Sequence, residues 1–143
     1  MKVKQLIALS AMATMAHGAF AHTHTTTYPI KAALGGLPVD NQVAFYFGDA
    51  AHPVVIASKG DASASIRVAR KLDGETVSCN AALKAALASL KDDAVSHGAN
   101  AVIDIETSFH GTHSSSSTDF VCATSISAAS IKLRGKLATL EAK

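Results

Sequence analysis

Residues 76–109 read TVSCNAALKAALASLKDDAVSHGANAVIDIETSF, and this stretch carries the fold class. Leu83, Leu87, Leu90 and Ala94 recur at intervals of four, three and four, while Lys84, Lys91, Asp92, Asp93 and Ser96 fall mostly on other faces. That period predicts an amphipathic helix over residues 76–97 with one stripe turned inward. Ser78 or Asn80 stands where a cap is needed at its start, and Gly98 where a left-handed residue stops it. Beyond the glycine the period drops to two. Ala101, Ile103, Ile105, Thr107 and Phe109 fall on one face of a strand, with Asp104 and Glu106 on the other. A helix with one apolar stripe, turned directly into a strand, calls for a sheet to lie on.

On the N-terminal side, Val43, Phe45 and Phe47 alternate with Gln42, Ala44 and Tyr46, a strand pattern closed by Gly48-Asp49. A loop through His52-Pro53 follows, with residues 54–57 as a short extension. Ile66 and Val68 alternate with Ser65, Arg67 and Ala69 in a second strand ending near Leu72. On the C-terminal side, the serine-rich run 111–118 reads as an exposed hairpin loop. Phe120, Cys122, Thr124, Ile126 and Ala128 then line one face of a last long strand. The expectation is one α+β domain over residues 41–136 in the order ββαββ: a mainly antiparallel four-stranded sheet, one long helix packed on one face, and a short tail at 137–143.

With 143 residues, 48% hydrophobic and 17% charged, the chain has room for one domain. Lys2 and Lys4, the apolar run 6–16 and the small residues of Ala19-Phe20-Ala21 follow the grammar of a secretory signal peptide. A membrane anchor is the other reading, but the run falls short of the roughly 20 residues that cross a bilayer. Cleavage after Ala21 gives a periplasmic or secreted product that begins at His22. It has no cysteine near the cut to carry a lipid and no second span to hold it in the membrane. Residues 22–40, polar and then rich in turn formers, read as an irregular leader. Without Lys2 and Lys4 the 13 basic residues become 11, equal to the 11 acidic ones, so net charge gives no reason to seek nucleic acid or an anionic membrane.

Export makes the two cysteines a structural pair. Cys79 precedes Leu83 by one helical step and shares its inward stripe, while Cys122 alternates with Phe120 on the inward face of the last strand. A Cys79–Cys122 disulfide joining the helix to the sheet follows. A redox-active pair is the alternative, but those are usually Cys-x-x-Cys with neighbours that lower the thiol pKa.

The order of elements, and Gly98-Ala99-Asn100-Ala101-Val102-Ile103-Asp104 joining the leucine-rich helix to its strand, resembles the YbjQ-type domain and the related signalling domain of the Rcs outer-membrane stress-sensor lipoprotein. The resemblance covers about residues 41–130. It implies a bridge from the start of the helix to the last strand, as Cys79 and Cys122 would make, together with a link to heavy-metal binding and to envelope stress sensing. The second cysteine pair and the lipid-bearing cysteine of the stress sensor have no counterpart here. A DNA-excision ATPase label attached to similar small proteins does not suit these residues, which contain no Gly-x-x-x-x-Gly-Lys-Ser/Thr loop.

Two histidine pairs are candidate metal ligands. A mature chain beginning His22-Thr23-His24 offers a free amine, two amide nitrogens and an imidazole, a square-planar nitrogen set suited to Cu(II) or Ni(II). The other reading is a polar leader that happens to contain histidine. His110 and His113, with Asp119 nearby in sequence, form the second candidate, set against ordinary solvated loop histidines. Ser114, Ser115, Ser116 and Ser117 lie near those histidines but lack a nucleophile-elbow pattern and an orienting acid. Asp104 with Glu106, and Arg67, Arg70 and Lys71, read as solvated charges. No catalytic residue is assigned. The expected role is a non-enzymatic periplasmic binding or envelope-associated accessory module with an unknown envelope protein as partner, and a Cu(II)- or Ni(II)-binding protein is the alternative.

Overall fold

The computed structural model describes residues 22–35, 42–70, 72 and 74–142; the expected signal segment 1–21 lies outside them. The elements run β1 (His24–Pro29), α1 (Ile30–Leu34), β2 (Ala44–Phe47), β3 (Val55–Ala69), α2 (Glu75–Ser96), β4 (Ala101–Phe109), β5 (Thr112–Ser114), β6 (Asp119–Thr124) and β7 (Ala128–Leu140). The fold is α+β, with one disulfide and a long helix on one face of a sheet. The sheet, however, has seven strands and is mixed: β2 runs parallel to β4, and every other pairing is antiparallel.

β7 is the spine. One of its edges pairs with β3 along its whole length, from Ala69↔Ala128 to Val55↔Leu140. Its other edge is shared, with β6 at Ala129 and Ser130 and β4 from Leu133 to Ala138. Beyond β6 lies β1, and beyond β4 lie β2 and the short β5. α2 crosses the face formed by β3 and β7. Alanines dominate there: Ala82, Ala86 and Ala94 on the helix and Ala62, Ala64 and Ala129 on the sheet are all buried, which lets the two layers approach closely. Leu83, Leu87 and Leu90 fill the space between them, as their spacing predicted.

Several expectations need correction. The leader is not irregular where it is described: Thr25, Thr26 and Thr27 extend into β1, which pairs with β6 from His24↔Thr124 to Pro29↔Asp119. Three β-branched residues ahead of Tyr28 suit a strand, and a partner strand overrides the polarity of the segment. Residues 55–57 of the expected extension and the strand around Ile66 are one strand, β3. The expected last strand breaks at Ser125, Ile126 and Ser127, where Ser125 N–H donates to Ala128 O in a turn, leaving Ile126 on the surface. The chain then returns as β7, which takes in most of the expected tail. The helix begins at Glu75 after Gly74, without a side-chain cap; Ser78 is buried inside it. Gly98 does take a positive φ, 68°, at the helix end.

In β4 the five residues expected on one face, Ala101, Ile103, Ile105, Thr107 and Phe109, do not share it. The ladder with β7 shifts register between Ile103 and Glu106, and Asp104 adopts a φ of 51°. This bulge changes the phase of alternation. Ala101 and Ile103 pack with Ala138 and Leu140 in a small cluster, while Val102 and Ile105 join the main core with Leu133 and Leu137. Gly135 sits opposite the bulge, and a Cβ there would lie 2.7 Å from Val102 Cγ1 and 3.2 Å from Ile105 Cγ1. Gly135→Ala is expected to destabilise the protein by about 1–3 kcal/mol, the usual cost of overpacking, read as a lower denaturant midpoint at unchanged m-value. An unaltered midpoint would show that the bulge can relax.

Candidate functional site

The most connected group of polar side chains lies where the start of α2 meets β1 and the end of β6. Glu75 opens the helix, where a carboxylate is favoured by the exposed backbone N–H groups and the helix dipole. Arg70, one residue beyond β3, donates from Nη1 to Ser125 O at 3.0 Å and lies 3.1 Å from Glu75 Oε1. β1 brings in His24, whose Nε2 is 3.2 Å from each Glu75 carboxylate oxygen and 3.0 Å from Thr124 Oγ1. Thr124 is fully buried, whereas the His24 side chain is 54% exposed, so the cluster has a buried floor and an open mouth.

This arrangement limits the chemistry. Thr124 and Glu75 both meet Nε2 of the same imidazole. A hydrolytic triad needs its hydroxyl and its acid on opposite ring nitrogens, so that one nitrogen takes the proton while the other is held. In the tautomer that places the proton on Nε2, toward Glu75, Nδ1 is the acceptor nitrogen of the ring. A carboxylate on one ring nitrogen is the outer support commonly found behind a histidine that ligates a metal through the other.

Of the other sequence candidates, His22 is exposed at the start of the described chain. His110 occupies the β4–β5 turn with a φ of 45° and its ring against Phe109, with centroids 4.0 Å apart. His113, in β5, has Nδ1 3.8 Å from Glu106 Oε2. His110 and His113 thus have different partners, Phe109 and Glu106. Asp119 instead accepts from Thr118 Oγ1 at 2.6 Å, and Ser116 Oγ accepts from the Thr118 and Asp119 N–H groups, so this serine closes a turn. Among the described residues, no three His, Cys, Asp or Glu side chains gather into a group able to hold a metal ion. Asp104 is paired with Lys136 at 2.8 Å, a contact that raises the lysine pKa. Lys71 lies outside the described residues.

Nothing in the sequence pattern groups Glu75, Arg70 and Thr124 with His24. An acid in the first turn of the helix was the legible clue; the approach of Arg70 and His24 depends on strand pairing over a long separation. A second feature, an open recess of about 750 Å³, has Ile30, Leu34, Phe45 and Phe47 in its apolar wall and Lys31 and Asp119 among its polar lining residues. No family model, curated protein or solved structure matches the chain.

Tyr28, next to the cluster in β1, is buried with its ring centroid 5.7 Å from that of Phe120. Burial raises its pKa above the ordinary 10.0, with Glu75 adding in the same direction against smaller opposing effects of Thr26 and Arg70. Above pH 10.0 the unfolded chain releases this proton before the folded one does, so stability present below that pH declines as pH rises. Tyr28→Phe is expected to flatten this alkaline decline, measured by urea unfolding at stepped pH; an equally steep decline in the variant would assign it to other groups.

Proposed function

We propose that the chain is an exported, non-enzymatic binding or envelope-associated accessory module working outside the cytosol. The observation that carries this reading is the disulfide between Cys79 and Cys122, both fully buried, in a protein whose first residues have the form of a signal peptide. Disulfides persist in oxidising compartments and are rare in the cytosol. Among the described residues, no helix is long and apolar enough to cross a membrane. The resemblance to the Rcs stress-sensor domain favours a role in envelope surveillance. That resemblance implies a bridge from the start of the helix to the last strand; Cys79 lies near the start of α2, but Cys122 lies in β6, the strand before the last. The open recess offers a surface for a partner or a small apolar ligand.

One observation favours a second reading, a Cu(II)- or Ni(II)-binding protein. His24 is held by Glu75 and Thr124 through Nε2, which leaves Nδ1 for the chelate that a chain beginning at His22 would offer. This answers the main weakness of a terminal site, the want of any group to orient its imidazole. Thr23 and His24 would supply amide nitrogens, and His22 the amine.

Intact mass spectrometry of the product recovered from the periplasm or medium is expected to give a chain starting at His22. A full-length chain retained in the cytosol with two free thiols would overturn the export reading. Titration of that product with Cu(II), followed by visible absorption, is expected to show one tight equivalent that His24→Ala loses. Equal affinity in the variant would remove the metal reading and leave the accessory-module reading intact.

A further inference from the structure

β3 is an edge strand. It pairs with β7 on one side, and among the described residues no strand pairs with it on the other. Its opening portion is irregular, with register shifts between Val55 and Ala57 and between Ser58 and Gly60. From Asp61 to Ala69 the ladder is regular. A regular edge of that length leaves a row of backbone N–H and C=O groups open to another strand.

The side chains along this edge complement themselves. Asp61, Ser63, Ser65 and Arg67 are exposed and share the face away from α2, whereas Ala62, Ala64, Ile66 and Val68 face the helix, the first two buried and the others half-buried. Consider a second copy paired antiparallel to this edge about a twofold axis normal to the sheet. Such an axis keeps each face on its own side, so it must pass through a residue and not between two. Through Ser63 it sets Lys59 opposite Arg67, a like-charge pair, and through Ala62 it leaves Asp61 opposite Ser63. Through Ala64, Asp61 meets Arg67 of the partner on both sides of the axis, Ser63 meets Ser65, and Ile66 covers Ala62. Of these registers, the one through Ala64 matches opposite charges. Within one chain Arg67 stands across the ladder from Ser130 and has no carboxylate opposite it. Asp61 stands across from Lys136, whose ammonium is already bonded to Asp104.

We infer that a second copy of this chain docks along β3, with Asp61 and Arg67 exchanged across a twofold axis at Ala64, joining two sheets into one and setting both α2 helices on the same face. The inference uses a different surface from the cluster around His24 and does not depend on export.

The test is sedimentation velocity of the purified protein over about a hundredfold concentration range, where a self-associating chain shifts from monomer to dimer by mass action. Arg67→Asp and, separately, Asp61→Arg each place like charges opposite one another twice, and each is expected to weaken the dimer about tenfold or more. The double variant Asp61→Arg with Arg67→Asp restores opposite charges and is expected to return the dimer to near its original strength. Circular dichroism checks that each variant is folded. A monomer at every concentration would overturn the proposal, as would a dimer indifferent to the single reversals or one that the double variant does not rescue.

Discussion

The crosslink between Cys79 and Cys122 is the constraint on which the rest of the architecture depends. It ties the first turns of α2 to β6, with the two Cα atoms 5.9 Å apart and both residues fully buried between the layers. The segment it closes, with a sequence separation of 43, contains most of α2, all of β4 and β5 and the turn into β6. In the chain-entropy account, closing a loop of that length disfavours the unfolded state by about 4 kcal/mol. Domains of this size are stable by only about 5–15 kcal/mol, so this one covalent bond is a large share of what keeps helix and sheet together.

The polar cluster follows from that tie. Because the start of α2 is fixed over β6, Glu75 sits beside the end of that strand, where Thr124 is, and beside the strand paired to it, where His24 is. The exposed helix N–H groups favour the carboxylate, and the carboxylate in turn holds Arg70 and His24. None of these residues is near another in sequence except Arg70 and Glu75. Their meeting is a product of topology. Two of the sheet's edges differ in character. The β1 edge carries a histidine supported by an acid and a buried hydroxyl, whereas the β3 edge is open backbone flanked by alternating small and charged side chains.

Residues with a clear period were legible in the sequence. Leu83, Leu87, Leu90 and Ala94 specified the helix, its buried stripe and, with Cys79, the side from which the disulfide leaves. Gly98 marked where the helix stops, and the α+β class follows from these elements. Residues whose role depends on a partner strand were not legible. Thr25, Thr26 and Thr27 look polar and loop-like until β6 lies beside them. Asp104 interrupts a pattern that otherwise alternates cleanly, and nothing local announces that the faces exchange there; Gly135, the residue that makes room for the bulge, is far along the chain. The break at Ser125, Ile126 and Ser127 was hidden because Ile126 continues the apolar alternation while standing exposed in a turn. Of the candidate site, His24 was visible as a histidine near an expected mature terminus, but its supports were not.

A covalent tie between the layers, and not packing of an alanine-rich interface alone, holds α2 on its sheet. Urea unfolding of the oxidised protein beside Cys79→Ala/Cys122→Ala tests it most directly. The double variant is expected to lose about 4 kcal/mol, within the spread seen when native bridges are removed from small domains. A double variant as stable as the parent would contradict it, and would place the stability of the fold in the close-packed alanine layers instead.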